Sequence, residues 1–269
     1  MHGLGNDFVV LNRLAQPLED NLSSLARRVC DRKYGVGADG LLLTVPGDTV
    51  SVRMRVFNAD GSEAAMCGNG LRCVVEALRL DGLLAPGATT IEVGARTVSA
   101  ELRGDGLVQV DMGPVKFDRA SIGIDGDPCE PYLRQSLRFR NQVFQGSAAQ
   151  VGNPNLVFFV SSVTEVDLSA LGPHFSRLPQ FAHGANVHFV EVLGPGNVKA
   201  RTWELGAGET LACGSGACAI AAIGCHLGLT GRAVTVELPG GKLEIYARED
   251  GHVIMTGPAS HVFTGSIAL

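Results

Sequence analysis
Several features are missing from this 269-residue chain, and each absence removes a class of function. Although 45% of the residues are hydrophobic, no run approaches the ~18 consecutive apolar residues of a membrane span. The opening Met1-His2-Gly3-Leu4-Gly5-Asn6-Asp7 has neither a charged n-region nor an apolar h-region, which predicts a cytoplasmic protein. Lys+Arg 22 against Asp+Glu 27 gives a net charge of −5, spread without a basic stripe, so neither nucleic acid nor a membrane surface is an expected partner. A small soluble ligand is the default. There is no Cys-X-X-Cys, and Cys225-His226 is a bare adjacency with no spacing that offers four convergent ligands, so no metal site is predicted. Gly35 to Gly40 is glycine-rich but leads into the strand Leu41 to Thr44, which is the wrong context for a dinucleotide fingerprint. Seven cysteines is an odd count in a chain too long to need staples, so most are expected to be reduced.

What is present centres on the stretch from Glu204 to Ala219, where Cys213 precedes Gly214-Ser215-Gly216 and a run of small helix formers. Such a turn brings free amide N–H groups around the sulfur, which predicts a thiol drawn towards neutrality and a seat for a carboxylate. Taken alone, a buried structural cysteine at a tight turn is the better reading. A second copy changes that. Asn58 to Cys73 has the same layout, with Glu63 matching Glu209 and Cys67 matching Cys213, each followed by Gly-X-Gly and a helical run. Beyond the helices, Ile91 to Val98 and Val234 to Ile245 both read as strand pairs broken at glycine, and each half closes on Gly-Pro, at Gly113-Pro114 and Gly257-Pro258. The chain is a diverged duplication, and two cores of roughly half its length each are expected.

Leu22 to Asp31 has helical spacing, and Val50 to Asn58 alternates as a half-buried strand that delivers Asn58 to the first cysteine loop. A helix runs from Cys67 to about Leu80, strands fill Thr89 to Met112, and the stretch from Pro114 to about Asp127 reads as irregular. Gln142 to Gln145, Leu156 to Val163, Val187 to Val192 and Val198 to Trp203 read as strands, with a helix over Leu168 to Phe175 and a turn at Gly152-Asn153-Pro154-Asn155. The prediction is α+β: two pseudo-symmetric domains, each a mostly antiparallel curled sheet around a central helix, with an active site in the cleft between them. Residues 1–114 make the first half, joined by a C-terminal strand over 260–269, and 115–259 make the second.

Two cysteines at facing helix ends suit one chemistry in particular. Inverting a carbon that bears an acidic C–H requires one group to take the proton from one face and another to deliver a proton to the opposite face. A thiolate and a thiol are matched for this. Convergent helix N-termini would stabilise the carboxylate of the carbanion-like state without a metal.

The chain resembles the diaminopimelate epimerase family over essentially its whole length. The resemblance is carried by His2 to Phe8, Phe57 to Glu63, Cys67-Gly68-Asn69-Gly70, Gly152-Asn153-Pro154, Gly206 to Thr210 and Cys213 to Gly216. It implies a cofactor-independent isomerase, needing no pyridoxal phosphate, that interconverts LL- and meso-diaminopimelate in lysine and cell-wall biosynthesis, usually as a homodimer. By position it implies Cys67 and Cys213 as the acid/base pair, with Gly68, Asn69, Gly214 and Ser215 as donors to the reacting carboxylate. It further implies Glu204 on the reacting ammonium, and Asn6, Asn58, Asn153 and Asn186 lining the substrate site.

The sequence departs from the family pattern at two site positions. Leu205 stands where many members carry an arginine that grips the distal carboxylate, and Asn155 stands where histidine usually follows Gly-Asn-Pro. A racemase of another amino acid is therefore the alternative reading, and a non-catalytic amino-acid-binding protein is a further one. Two retained thiols and Glu204 speak for an enzyme, since binding alone requires neither thiol.

Overall fold
The computed structural model describes residues 1–15, 21–64 and 66–267, and the chain divides into two compact units, Met1–Asp111 with Thr256–Leu269, and Met112–Met255. Both units follow one plan. In the first, β1 (His2–Gly3), β2 (Asn6–Asn12), α1 (Leu22–Cys30), β3 (Gly40–Pro46), β4 (Val52–Asn58) and β5 (Glu63–Ala64) lead to α2 (Gly68–Leu80). Then come β6 (Gly87–Val93), β7 (Arg96–Leu102) and β8 (Val108–Pro114). The second begins with α3 (Arg119–Ile122), a single helical turn inside the stretch expected to be irregular, followed by β9 (Gln135–Phe139) and β10 (Gln142–Val151). It then repeats the order as β11 (Asn153–Val160), α4 (Leu168–Phe175), β12 (Asn186–Gly194), β13 (Asn197–Glu204), β14 (Gly208–Thr210), α5 (Gly214–His226), β15 (Ala233–Leu238), β16 (Gly241–Ala247) and β17 (His252–Gly257).

The pairing repeats as well. β2 runs parallel to β3, β3 antiparallel to β4, β4 antiparallel to β5 and parallel to β6, and β6 antiparallel to β7. The series β11, β12, β13, β14, β15, β16 has the same senses in the same order. The result is a sheet-dominated α+β fold in which antiparallel pairs predominate. The chain past Ser260 differs from expectation: Ser260 makes one bridge to His2, residues 261–267 form no strand, and 268–269 lie outside the described residues.

β4 is half-buried, as its alternation predicts, whereas β3 is buried on both faces. Leu22, Leu25, Ala26 and Val29 of α1 pack with Leu41, Leu43, Val45 and Phe57, while the alternate residues Leu42, Met54 and Val56 are buried too. A strand buried on both faces loses its period-two signal. α1 itself starts where Asn21 caps the Ser24 amide at 2.9 Å. In the second unit, Leu168, Leu171 and Phe175 of α4 pack with Leu156, Phe158, Val187 and Phe189. α5 is apolar all round and buried from Gly216 to Gly224, the character of a helix enclosed by its sheet. Among the described residues no helix is long and apolar enough to cross a membrane.

Candidate active site
Two half-sites occupy equivalent places, one in each unit. Cys67 is the N-cap of α2, in extended conformation (φ −147°, ψ 108°), and its Sγ accepts the Gly70 amide at 3.3 Å. The first-turn amides of a helix have no partner within it, so a sulfur in the cap position meets them directly. Asn6 places its Oδ1 4.0 Å from the Cys67 sulfur. Its amide cannot turn over. Nδ2 of Asn6 donates to the Asp39 carboxylate at 2.9 Å, and Oδ1 accepts Nδ2 of Asn69 at 3.2 Å. Asn69 is oriented in turn by the fully buried Arg72, which donates to Asn69 Oδ1 at 2.9 Å. A guanidinium only donates and a carboxylate only accepts, so the chain has one polarity, and Asn6 shows the sulfur a carbonyl oxygen. Arg32 anchors the end of the chain, donating to both Asp7 and Asp39 at 2.8 Å. Burial alone would raise the Asp7 carboxyl, but the Arg32 and Asp39 hydrogen bonds hold it below its usual range.

Cys213 is the N-cap of α5 (φ −120°, ψ 109°) and is 3% exposed. Asn186 directs Nδ2 at its sulfur, at 3.8 Å. This amide is fixed as well, because its Oδ1 accepts the Leu205 backbone N–H at 2.9 Å and a backbone amide only donates. The two sulfurs thus face side-chain amides of opposite polarity. Ser215 Oγ lies 3.5 Å from the Cys213 sulfur, and Glu204, on β13, accepts the Thr210 hydroxyl at 2.6 Å. Burial pushes the Cys213 thiol well above its ordinary value and the Glu204 carboxylate adds to this, with Ser215 and Gly216 acting the other way. The expectation of a thiol drawn towards neutrality is therefore corrected for Cys213: loss of water and a neighbouring anion outweigh the helix end.

The glutamates that signalled the repeat are clamps. Arg55 donates to both oxygens of Glu63 at 2.8 Å, and Arg201 donates Nε and one terminal nitrogen to Glu209 at 3.1 and 2.9 Å. Each ties β4 to β5, or β13 to β14, immediately before the cysteine. Gly68 and Gly214 are the first residues of their helices. Asn58 is exposed at the end of β4 and donates to Ser62 Oγ at 2.9 Å, and Asn153 is exposed at the start of β11, in the strand and past the tight turn at Gly152 (φ 74°). Asn6, Cys67 and Asn69 are thus brought together in one unit, and Asn186, Glu204, Cys213 and Ser215 in the other. Register aligns Gly40 with Phe8 and Asn58, and Asn186 with Asn155, so β12 carries Asn186 where β3 carries Gly40.

Sequence reasoning missed Asp39, Arg32, Arg72 and His188. His188 is fully buried under α5, and burial pushes its imidazole down to about 3, so it is neutral. The signal was its position: two residues after Asn186 on a strand, it shares that residue's face. Cys30 and Cys73 are buried and pushed up to about 11 and about 12 by desolvation, which makes them inert core thiols. Cys218 is also buried, whereas Cys225 is only partly so.

A family model described as diaminopimelate epimerase matches residues 1–117 and 147–262. The chain is 46% identical over 269 residues to the diaminopimelate epimerase of Desulforudis audaxviator, covering 98% of this chain and 96% of that one. The chain belongs to the diaminopimelate epimerase family. Similar relatives of that name include those of Synechococcus elongatus, 43% identical over 100% of this chain and 96% of its own length, and Methanococcus maripaludis, 39% identical over 99% and 98%. The diaminopimelate epimerase fold is shared with a probable proline racemase from Agrobacterium radiobacter. That structure has a TM-score of 0.70 at 15% identity and covers 100% of this chain and 91% of its own.

Proposed function
We propose that the chain interconverts LL- and meso-diaminopimelate by proton transfer between two cysteines, without a cofactor. The observation that carries this reading is the matched placement of Cys67 and Cys213 as helix N-caps facing fixed amides of opposite polarity. One sulfur, as thiolate, takes the α-proton: the C–H bond breaks and an S–H bond forms. The other gives up its S–H proton to the opposite face of the same carbon, so one thiol and one thiolate stand before and after. The first-turn amides of α2 and α5, with Asn69 and Ser215, supply donors for the reacting carboxylate. Glu204 receives the ammonium, and pairing with that cation removes the anion that holds the Cys213 proton in place. Asn6 and Asn186 set the polarity at each sulfur, and Asn58 and Asn153 recognise the distal end. The family expectation extends to a cytoplasmic homodimer organised as halves 1–114 and 115–259.

Leu205 favours one second reading, a racemase whose substrate has no distal carboxylate; its alkyl side chain is 41% exposed. The purified chain in deuterium oxide should exchange the α-hydrogen of LL-diaminopimelate and leave lysine, ornithine and glutamate unlabelled. Exchange of one of these in place of diaminopimelate moves the substrate and keeps the mechanism, while near-parental turnover by Cys67→Ser or Cys213→Ser removes the mechanism itself.

A further inference from the structure
Beneath Cys213 lies a chain of polar groups of which the reaction as written uses only Ser215. Thr202 Oγ1 is 2.9 Å from His188 Nδ1, His188 Nε2 is 3.1 Å from Asn155 Oδ1, and Ser215 Oγ is 3.5 Å from both Asn155 Oδ1 and the Cys213 sulfur. Thr202, His188 and Asn155 are each no more than 1% exposed. Their polarity follows from one fixed point. Asn155 Nδ2 donates at 2.7 Å to the Asn153 carbonyl, which only accepts, so Asn155 Oδ1 faces His188 and Ser215 and either bonds to it only as a donor. His188 therefore carries its proton on Nε2, and Nδ1 accepts the Thr202 hydroxyl.

We propose that Asn155, held in orientation by His188, is the alternative acceptor for the Ser215 hydroxyl, which points at Asn155 when Cys213 is a thiol and turns to the sulfur when Cys213 is a thiolate. No covalent bond changes, since the serine O–H stays intact and only its rotor moves. His188 is the positioning residue that makes this possible. When the serine turns away, Asn155 Oδ1 keeps the Nε2–H, so neither state leaves a buried acceptor without a donor. Within its unit, Cys213 is faced by the carboxylate of Glu204 from β13 and, through Asn155 and Ser215, by His188 from β12. Glu204 favours the thiol, and Ser215, beside the Asn186 N–H, is placed to favour the thiolate.

The inference rests on Cys213 being one of the two proton carriers, but its test does not require turnover. Thiolate absorbance is followed against pH for each full-length variant, minus that of the same variant carrying Cys213→Ala. Asn155→Leu removes the acceptor used only by the thiol state, so the Cys213 midpoint should fall by about half to one pH unit, the worth of one net hydrogen bond. Asn155→Asp should raise it. Thr202→Val, which releases the His188 tautomer with a smaller change of shape, should shift it in the direction of Asn155→Leu. In a Ser215→Ala background the Asn155→Leu shift should vanish. A packing role would lower the melting temperature without opposite shifts for Leu and Asp. An unmoved midpoint in both Asn155→Leu and Thr202→Val, or a shift that persists without Ser215, overturns the proposal. Retained epimerisation by Cys213→Ser would instead overturn the functional reading and leave these titrations standing.

Discussion

Replacing Gly216 by alanine sets two effects of known size against each other. Alanine gains about 1 kcal/mol over glycine inside a helix. Against this, a Cβ at Gly216 would lie 2.1 Å from His188 Cε1 and 2.7 and 2.8 Å from the two ring nitrogens. The ring has nowhere to go, because it is fully buried and hydrogen-bonded at both nitrogens. Overpacking costs roughly 1–3 kcal/mol, and displacing the ring adds the loss of a buried hydrogen bond, about 1 kcal/mol or more. The clash wins, with a net loss of about 1–3 kcal/mol. At ~3 °C per kcal/mol for a unit of this size, the melting temperature should drop by roughly 3–9 °C. Differential scanning calorimetry of the variant, together with the cycle Gly216→Ala, His188→Ala and the double variant, isolates the pair. Gly216→Ala should cost about 2 kcal/mol less once the ring is gone. Gly70→Ala is the internal control: its Cβ meets the end of a flexible side chain, Leu42 Cδ2, at 2.9 Å, and should be milder. A melting temperature for Gly216→Ala at or above that of the parent refutes the reasoning.

Three other outcomes follow. The unfolded chain protonates His188 near the ordinary histidine value of 6.5, whereas in the fold it is pushed down to about 3, so the unfolded state binds the extra proton between those values. Its stabilising share is complete above that range and falls with acidification at up to ~1.4 kcal/mol per pH unit, and denaturant unfolding of His188→Gln should show a flatter dependence. Leu205→Arg should lower KM for LL-diaminopimelate by about 10- to 100-fold, the value of one charge-assisted contact, and an unchanged KM would place position 205 away from the distal carboxylate. Asp39→Ala frees the Asn6 amide to rotate beside Cys67, and kcat should fall on the order of tenfold to a hundredfold with a smaller change in KM; parental kcat would show that the Arg32–Asp39–Asn6 chain does not act on the sulfur.

The repeat was legible because it leaves marks that tolerate divergence: a glutamate four residues before each cysteine, then Gly-X-Gly. Those marks report local needs. Glu63 and Glu209 answer an arginine on the neighbouring strand, and Gly70 and Gly216 answer the side chains beneath their helices. The half-burial of β4 was legible from Arg53 and Arg55 alternating with Met54 and Val56, but not that the arginines' charged ends reach Glu92 and Glu63. Asn155 read as a turn residue because Gly152 and Pro154 dominate its neighbourhood, yet its role is set by His188, which is 33 residues away in sequence. The lowered thiol expected at Cys213 failed for a related reason. A helix end is visible in sequence, but the extent to which a fold removes water from it is not.

The Arg55–Glu63 and Arg201–Glu209 clamps have a bearing on how such a protein could have evolved. They hold each cysteine where it is, whereas Asn6 and Asn186 decide whether its sulfur meets a carbonyl oxygen or an N–H. Location and hydrogen-bond polarity are thereby inherited from different residues. After duplication, one copy could drift in acidity without losing its place, and a symmetric pair of identical thiols could become a directional couple by changes that never touched the frame.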